Sequence, residues 1–571
     1  MSISTFDRGK IKRTRQESWL QSTAVTLREN DIVTNLIGLL GAAFALFMLL
    51  RLPEPWNLRI PFYLVILVWT ILRPRVALYL MPIAVPWGSL DAINVGTASL
   101  NSADLLVGFL AAGWFMSFAL HTPTSRYGPR DRDVTTVPRY LILAIVALIG
   151  MMFLSMTVAT SISSSLKEIV KWLEFLVLVL LGAQYLRTRR QIWALIVIVL
   201  LAGITQAFYG YIQDFYAIGP AAFIRDASLR VYGTFGQPNP FAGYLNLPLS
   251  IAIALVLLGS NWKTRILAAL AAISLGYAEY LTLSRGGEIA ITVAVVFILF
   301  LGFPGLRALI GPIFIAGLGV VELFLAGVIP QHVLNPVYQI LGLTQISFTS
   351  PSAADYSTAE RLAHWIAGIH MFLDHPWLGV GIGNYPDVYQ NYYITIFVNS
   401  LGHAHNYYIN IAAEMGAIGL TVFLLFLFAL FLAAGNAYYA ISTHSIEARA
   451  ASRKQPVRRE IPAWTINTLL MRLSLRPISL AQYNTSDSTK LHTIAQKLAN
   501  DRALAVGLLA ALLTVCVHNL VDDLYVHSMT NLLALLLIAL IRLERIAANG
   551  AQQQETELRA GNHGGYFFDR G

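Results

Sequence analysis

The sequence is poor in charge. Asp, Glu, Lys and Arg make up 12% of its 571 residues, while 56% are hydrophobic. That is about half the charged share of a typical soluble protein. A soluble chain of this length could not cover its surface with so few charges, so the composition specifies a multi-pass membrane protein, and the mean hydropathy of +0.60 agrees. Cysteine is nearly absent. Cys516 stands alone, which excludes an internal disulfide and cannot by itself build a zinc site. Nothing in the composition suits collagen, a coiled coil or a disordered chain, and no internal repeat of fixed short period occurs. A cleavable signal peptide is not expected either. Residues 1–31 are polar and mixed in charge, with Arg8, Lys10, Lys12, Arg13 and Arg15 near the front, and the apolar stretch that follows has no small-residue cleavage site.

What is there is a series of apolar runs. A bilayer core needs roughly 20 apolar residues per helix. Spans are expected near 33–52, 60–73, 76–88, 103–121, 139–158, 166–185, 191–212, 240–259, 265–283, 287–303, 308–328, 406–436, 503–521 and 528–545. The short second and third could form one re-entrant pair, which makes 12–14 the expected number. The runs are continuous rather than alternating, so the fold class is an all-α polytopic membrane protein and not a β-barrel. The expected organisation is a cytoplasmic segment at 1–32, spanning helices at 33–328, an extracytoplasmic loop at 329–405, a helix at 406–436, a basic cytoplasmic loop at 437–502, two further spans at 503–545 and a disordered tail at 546–571.

The net charge of +9 would in a soluble protein suggest nucleic acid. Here the placement of charge explains it without that partner. Positive residues mark the inside loops: Arg73–Arg75, the stretch with Arg126, Arg130 and Arg132, Arg187–Arg190, Lys263–Arg265, Arg307, and a run between 441 and 502. The stretch from Ile329 to Ala404 carries one basic residue besides histidine, Arg361.

Three features fall on the expected outer side. The first runs from Val231 to Tyr244, where Gly233, Gly236, Pro238 and Pro240 mark a turn entering a helix. Asn239 before Pro240 reads as a helix N-cap. This is a tight loop and cap, or a helix N-terminus facing an anion. The second is Leu283-Ser284-Arg285-Gly286-Gly287, which puts Arg285 at the membrane face, where an arginine is costly unless paired, functional or snorkelling. The third is the long loop. Leu362, Trp365, Ile366, Ile369 and Leu373 recur at helical spacing and predict an amphipathic helix on the membrane surface, with Arg361 and His364 at its start.

A glycine-rich stretch, Asp374 to Tyr385, follows that helix. Without a preceding strand it reads as an ordered loop rather than a dinucleotide site. Tyr385, Tyr389, Tyr392 and Tyr393 suit sugar faces or the membrane interface. His403-Ala404-His405-Asn406 closes the loop, offering a proton acceptor near neutral pH. No carboxylate or thiolate completes a metal set nearby in sequence, so no metal and no cofactor is expected. Together Arg285 and Arg361 can hold phosphate oxygens, and a histidine can deprotonate a hydroxyl.

The pattern His405-Asn406, nine residues, Gly416-Ala-Ile-Gly419 resembles the signature of the O-antigen ligase and O-antigen polymerase superfamily. GTFGQPNPFAGYL, LTLSRGG, ERLAHW and HPWLGVGIGNY occur in the order that family shows. Together these cover roughly residues 200–435, and His518-Asn-Leu-Val-Asp-Asp523 is similar as well. The resemblance implies a GT-C-like, metal-independent, inverting glycosyltransferase of the cell envelope. Its donor would be an undecaprenyl-diphosphate-linked glycan, its acceptor a glycan or lipid, and its product a surface polysaccharide such as lipopolysaccharide. It implies His405 as base, Arg285 and Arg361 as pyrophosphate holders, and Asn239, Ser284, Asn406, His403 and Tyr385 as substrate-binding residues. The site would face the periplasm or exterior of the cell membrane. A flippase or polysaccharide transporter, which would favour ionisable residues at mid-span, and a non-catalytic scaffold are the competing readings.

Overall fold

The computed structural model describes residues 56–119, 137–306, 347–351, 356–452 and 488–563, with residues 92, 96–97 and 226–227 excepted and only scattered positions between 308 and 319. The expected N-terminal segment, the spans at 33–52 and 308–328, the first part of the long loop and the centre of the basic loop lie largely or wholly outside the described residues.

Every other expected span is a helix. In chain order they are α1 (Trp56–Leu72), α2 (Arg75–Trp87), α3 (Ser102–Ala119), α4 (Arg139–Met156), α5 (Ile162–Tyr185), α6 (Arg189–Phe215), α7 (Pro238–Leu258), α8 (Trp262–Leu281) and α9 (Arg285–Gly302). There follow α10 (Tyr356–Asp374), α11 (Tyr407–Ser452), α12 (Ser488–His518) and α13 (Met529–His563). Two antiparallel hairpins, Ile93–Val95 with Ala98–Leu100 and Ile224–Arg225 with Ser228–Leu229, are the strands among the described residues. Six of the described helices are long and apolar enough to cross a membrane by length and composition. The chain is an all-α, multi-pass membrane protein.

Helix starts are set by polar caps. Ser161, Asn261 and Ser284 accept first-turn amides of α5, α8 and α9, and Thr188 with Gln191 forms a capping box on α6. α7 and α12 pack on each other at the centre and are buried over most of their length, with α11 and the Leu-rich start of α13 beside them. The outer helices keep their large side chains outward: Trp262, Leu267, Leu270, Ile273, Tyr277 and Tyr280 form an exposed stripe on α8. Such a stripe is stable against lipid, where no water penalises it.

Four readings of the sequence need correction. α11 and α12 run further than the expected spans, to Ser452 and from Ser488, because Ala, Glu and Arg at 447–451 and the Lys/Ala/Gln-rich stretch before 502 are good helix formers. α13 likewise continues into the expected tail, through Ala, Gln, Glu and Leu, to His563. α7 begins at Pro238 after Gln237, so Asn239 lies inside the first turn and is not its cap. α10 buries its small stripe, Ala359, Ala363, His364, Ala367, Gly368 and Met371, against its neighbours, while Ile369 and Leu373 stay outside. Small residues let helix backbones approach closely, with Gly368 lying against Ile409 of α11.

Hydrogen bonds sort the helix ends into two groups. At one end Arg189 bonds Asp501 at 2.8 Å, Ser260 N–H donates to Asn500 at 2.8 Å, and Arg542 donates to the Leu186 carbonyl at 2.7 Å. Arg75 and Arg190 both approach Tyr79 at this end. At the other, Asn101 bonds Ser528 at 2.9 Å, Ser161 N–H donates to Asn384 at 2.6 Å, and Tyr407 N–H to the Asn519 carbonyl at 2.9 Å. The three outer features of the sequence gather at this second end, away from the basic loops.

Candidate active site

The glycine-rich loop after α10 is wedged against α11. Val380 N–H donates to the Ala413 carbonyl and Gly381 N–H to that of Glu414, both at 3.0 Å. Gly379 has φ +70°, and a Cβ there would collide with the Glu414 backbone; Gly416, at φ +67°, would collide with Trp377. Only glycine fits where two backbones meet in this way. Gly416 breaks the helical geometry of α11 at that point. Glu414 caps the loop from below, accepting from the amides of Gly383 and Tyr385. The glycines therefore serve close packing.

This clamp holds the start of α11, and with it the histidine pair. Asn406 accepts from the amides of Tyr408 and Ile409 and donates to the Leu520 carbonyl at 2.8 Å. It is the helix cap and ties the loop to the α12–α13 connection. His405 has φ +52°, a left-handed conformation that costs a side-chain-bearing residue roughly 1–2 kcal/mol. Neighbours enforce it: Trp365 of α10 donates to the His405 carbonyl at 3.0 Å, and His405 N–H donates to Nδ1 of His403 at 3.0 Å. Strain held by surrounding structure is typical of functional positions.

The α12–α13 connection brings Asp522 beneath both rings. Its Oδ1 lies 3.7 Å from Nε2 of His403 and 3.6 Å from Nδ1 of His405. Because Nδ1 of His403 accepts an amide, its proton sits on Nε2, toward Asp522. The carboxylate likewise favours the Nδ1–H tautomer of His405, leaving Nε2 of His405 as a lone-pair base. Both ring nitrogens of His405 are buried without a hydrogen-bond partner. Burial lowers the His405 pKa, Asp522 partly offsets this, and His403 and Arg361 lower it further. The ring is thus neutral and ready to accept a proton. Burial alone would raise the carboxyl of Asp522, but the close approach of His405 and the facing His403 and His518 hold it well below the usual range.

The arginines lie on the other flank. Arg361 stands one turn before Trp365 on α10 and acts on both His405 and His518. Arg285 opens α9 and is exposed. The next residue, Gly286, abuts His518: a Cβ there would lie 3.0 Å from its Nε2. A cation at a helix N-terminus opposes the helix dipole, so Arg285 adds to a positive field that suits an anion. Ser284 caps α9 and donates to Asn239 at 3.1 Å. Arg230 donates to the same Asn239 oxygen at 3.0 Å and to the Thr282 carbonyl at 3.0 Å. Asn239 and Ser284 thus join the turn before α7 to the start of α9.

The structure brings His403, His405 and Arg361 together, and Asn239, Ser284 and Arg285 together at the start of α9, next to His518. Tyr385 takes a different part. It is fully buried, and its hydroxyl donates to the His364 carbonyl and meets His364 Nδ1 at 3.2 Å, so its ring face is not open to a sugar. His364 stacks on Tyr389 and meets His405 edge-on at 5.2 Å. Burial, with His405 and His403 nearby, depresses its pKa to about 3. Sequence reasoning did not pick out Asp522 or Arg230. Asp522 stood in a stretch noted only for its resemblance, and Arg230 lies three residues before Gly233 on the same outer face as Arg285.

His403, His405 and Asp522 place three possible ligand atoms within 4.8 Å of one another. Two imidazoles and a carboxylate could hold a divalent cation, and here the sequence reading, which found no carboxylate near the histidines, was incomplete. No curated protein matches the chain. Residues 269–424, from α8 into α11, match the family model described as O-antigen ligase, a span that includes Arg285, Arg361, His403, His405 and Gly416. The match supports the O-antigen ligase superfamily for this chain and a membrane enzyme in polysaccharide biosynthesis.

Proposed function

We propose that the protein is a glycosyltransferase of the O-antigen ligase or polymerase type. It moves a glycan from an undecaprenyl-diphosphate-linked donor to an acceptor hydroxyl on the extracytoplasmic face of the cell membrane. The observation that carries this reading is His405: a strained residue whose ring nitrogens are both buried without a hydrogen-bond partner, backed by Asp522 and flanked by arginines. In the reaction Nε2 of His405 takes the acceptor proton. The freed oxygen attacks the anomeric carbon, and the bond from that carbon to the diphosphate oxygen breaks. Arg285 and Arg361 hold the departing diphosphate, where charge accumulates. A direct attack inverts the anomeric centre. Segregation of the basic loops to the far end supports an outward-facing site under the positive-inside rule.

Purified protein in nanodiscs is given a lipid-diphosphate-linked oligosaccharide and a panel of glycan and lipid acceptors, beside His405→Ala and Arg285→Ala. Transfer by the wild type, lost in both variants, is expected. Transfer that survives both substitutions overturns the assignment of the site. Movement of the lipid-linked glycan between leaflets without transfer would instead make the protein a flippase. The ligand set of His403, His405 and Asp522 favours one second reading, in which a divalent cation assists. EDTA-resistant transfer and metal-free protein by elemental analysis would exclude it.

A further inference from the structure

The turn that carries Arg285 is held from several sides. α8 ends at Leu281, and Leu283 then takes φ +49°. This is the left-handed position after a helix, where glycine is usual and a residue with a side chain is strained. A segment far back in the chain enforces it. Val231 N–H donates to the Leu281 carbonyl at 3.1 Å. Arg230 sets one edge of its guanidinium against two oxygens: Nε donates to the Thr282 carbonyl and Nη2 to Oδ1 of Asn239, each at 3.0 Å. The same Asn239 oxygen accepts from the Ser284 hydroxyl at 3.1 Å, and that hydroxyl accepts the Gly287 amide at 3.3 Å. The first turn of α9 is packed as closely. A Cβ on Gly287 would lie 2.8 Å from that of Ala242 on α7, and one on Gly286 would lie 2.7 Å from Val521 of the α12–α13 connection.

These bonds are spent within the protein. An amide oxygen has two lone pairs, and that of Asn239 gives one to Arg230 and one to Ser284. Ser284 is buried, whereas Arg285, the next residue, is exposed. A continuous set of bonds thus runs from Arg230 through Asn239 and Ser284 to the residue that the proposed reaction assigns to the diphosphate. We propose that Arg230 and Asn239 are positioning residues for the donor: they brace the α8–α9 turn so that Arg285 meets the diphosphate in one orientation. This rests on the role given to Arg285 above, and it assigns Asn239 and Ser284 to the mounting of that arginine rather than to the substrate. A planar guanidinium bridges the Thr282 and Asn239 oxygens at once, which a lysine on a flexible stem does not reproduce. Without the bridge Leu283 is free to leave its strained conformation and carry Arg285 with it. A misplacement of about 1 Å at a reacting centre costs about 10²-fold in rate, so a contact on a strained turn needs such a support.

The test is a double-mutant cycle on the full chain in nanodiscs, read by binding of geranylgeranyl diphosphate. Arg230→Lys and Asn239→Leu are made alone and in combination with Arg285→Ala, and thermal unfolding confirms that each protein folds; either of the two completes a cycle. Arg285→Ala is expected to weaken binding at least about tenfold, as the loss of a charged hydrogen bond does. Arg230→Lys and Asn239→Leu should each weaken it about three- to tenfold when Arg285 is present, and less than about twofold when Arg285 is already alanine. In transfer assays the two single variants should raise the donor KM and leave the acceptor KM alone, whereas a purely structural role would lower Tm and the active fraction and shift neither KM. Losses that add in the double variants mean that Arg230 or Asn239 meets the ligand by itself. Unchanged binding in both folded single variants means that the turn needs no brace. Either result overturns the positioning role while that of Arg285 stands. Binding that is indifferent to Arg285→Ala would instead refute the diphosphate contact in the proposed reaction, and the positioning role with it.

Discussion

Replacing Asp522 by Asn isolates what its charge contributes. The side chain keeps its shape, and its Oδ1 can still accept from Asp523 N–H, now at 2.9 Å. What is lost is a negative charge 3.6 Å from Nδ1 of His405. For a fully formed imidazolium that interaction is worth about 5 kcal/mol at an effective dielectric constant of about 20. A proton half transferred in the transition state would realise about 2 kcal/mol of it, roughly thirtyfold in rate. The amide can also donate to Nδ1 and favour the wrong tautomer, which in comparable acid–histidine pairs costs up to about 10⁴ in kcat. Asp522→Asn should therefore lower kcat between about thirtyfold and 10⁴-fold, with the KM of each substrate little changed. The pH profile gives the sign. Burial already lowers the His405 pKa, and Asp522 opposes that shift. Without the carboxylate the pKa falls further, so the acidic limb of kcat must move to lower pH. Steady-state assays across pH 4–8 on the nanodisc protein read both effects. An unchanged kcat, or an acidic limb that moves to higher pH, would refute the assignment of Asp522 as the group that orients His405.

Three further outcomes follow from the same geometry. Arg285→Lys keeps the charge but loses the planar fork, so kcat/KM for the donor should fall about tenfold, against about 10²–10³ for Arg285→Ala; equal losses in the two would mean that only charge matters. Gly379→Ala forces a Cβ into the Glu414 backbone at a positive φ; a loss of about 3 kcal/mol or more is expected, seen as a lower Tm and a poor yield, and wild-type stability would show that the clamp yields easily. His364, depressed to about 3 from 6.5, folds best when neutral. Its contribution is present above pH 6.5 and is lost as pH falls toward 3, so Tm should drop over that window and drop less in His364→Gln.

The spanning helices were legible because their signal is local. An apolar run of bilayer length has one low-energy form, and the charges that flank it mark its ends. What escaped was set by neighbours far along the chain. Asn239 has the local sequence of a cap, yet Arg230 and Ser284 claim its oxygen and the helix starts two residues earlier than that cap implies. The large apolar stripe of α10 predicts its buried face by periodicity. In the structure the small residues win, because α11 comes close enough to require them, and lipid can accept the large ones.

The site divides in the same way. His405, Arg285 and Arg361 stood out because each is a costly residue in a setting poor in charge. Asp522 did not, since it is 117 positions beyond His405 and acquires its meaning only when the α12–α13 connection folds beneath the histidines. Tyr385 shows the reverse error. An aromatic beside a glycine-rich loop suggests an open sugar platform, but its hydroxyl is spent on His364 and its ring is packed away. A sequence reports which residues are expensive to place. Which of them share an oxygen, and which are left with a nitrogen unpaired, depends on pairings between segments far apart in the chain. It is at His405, with both ring nitrogens unpartnered, that the arrangement of this end of the bundle converges.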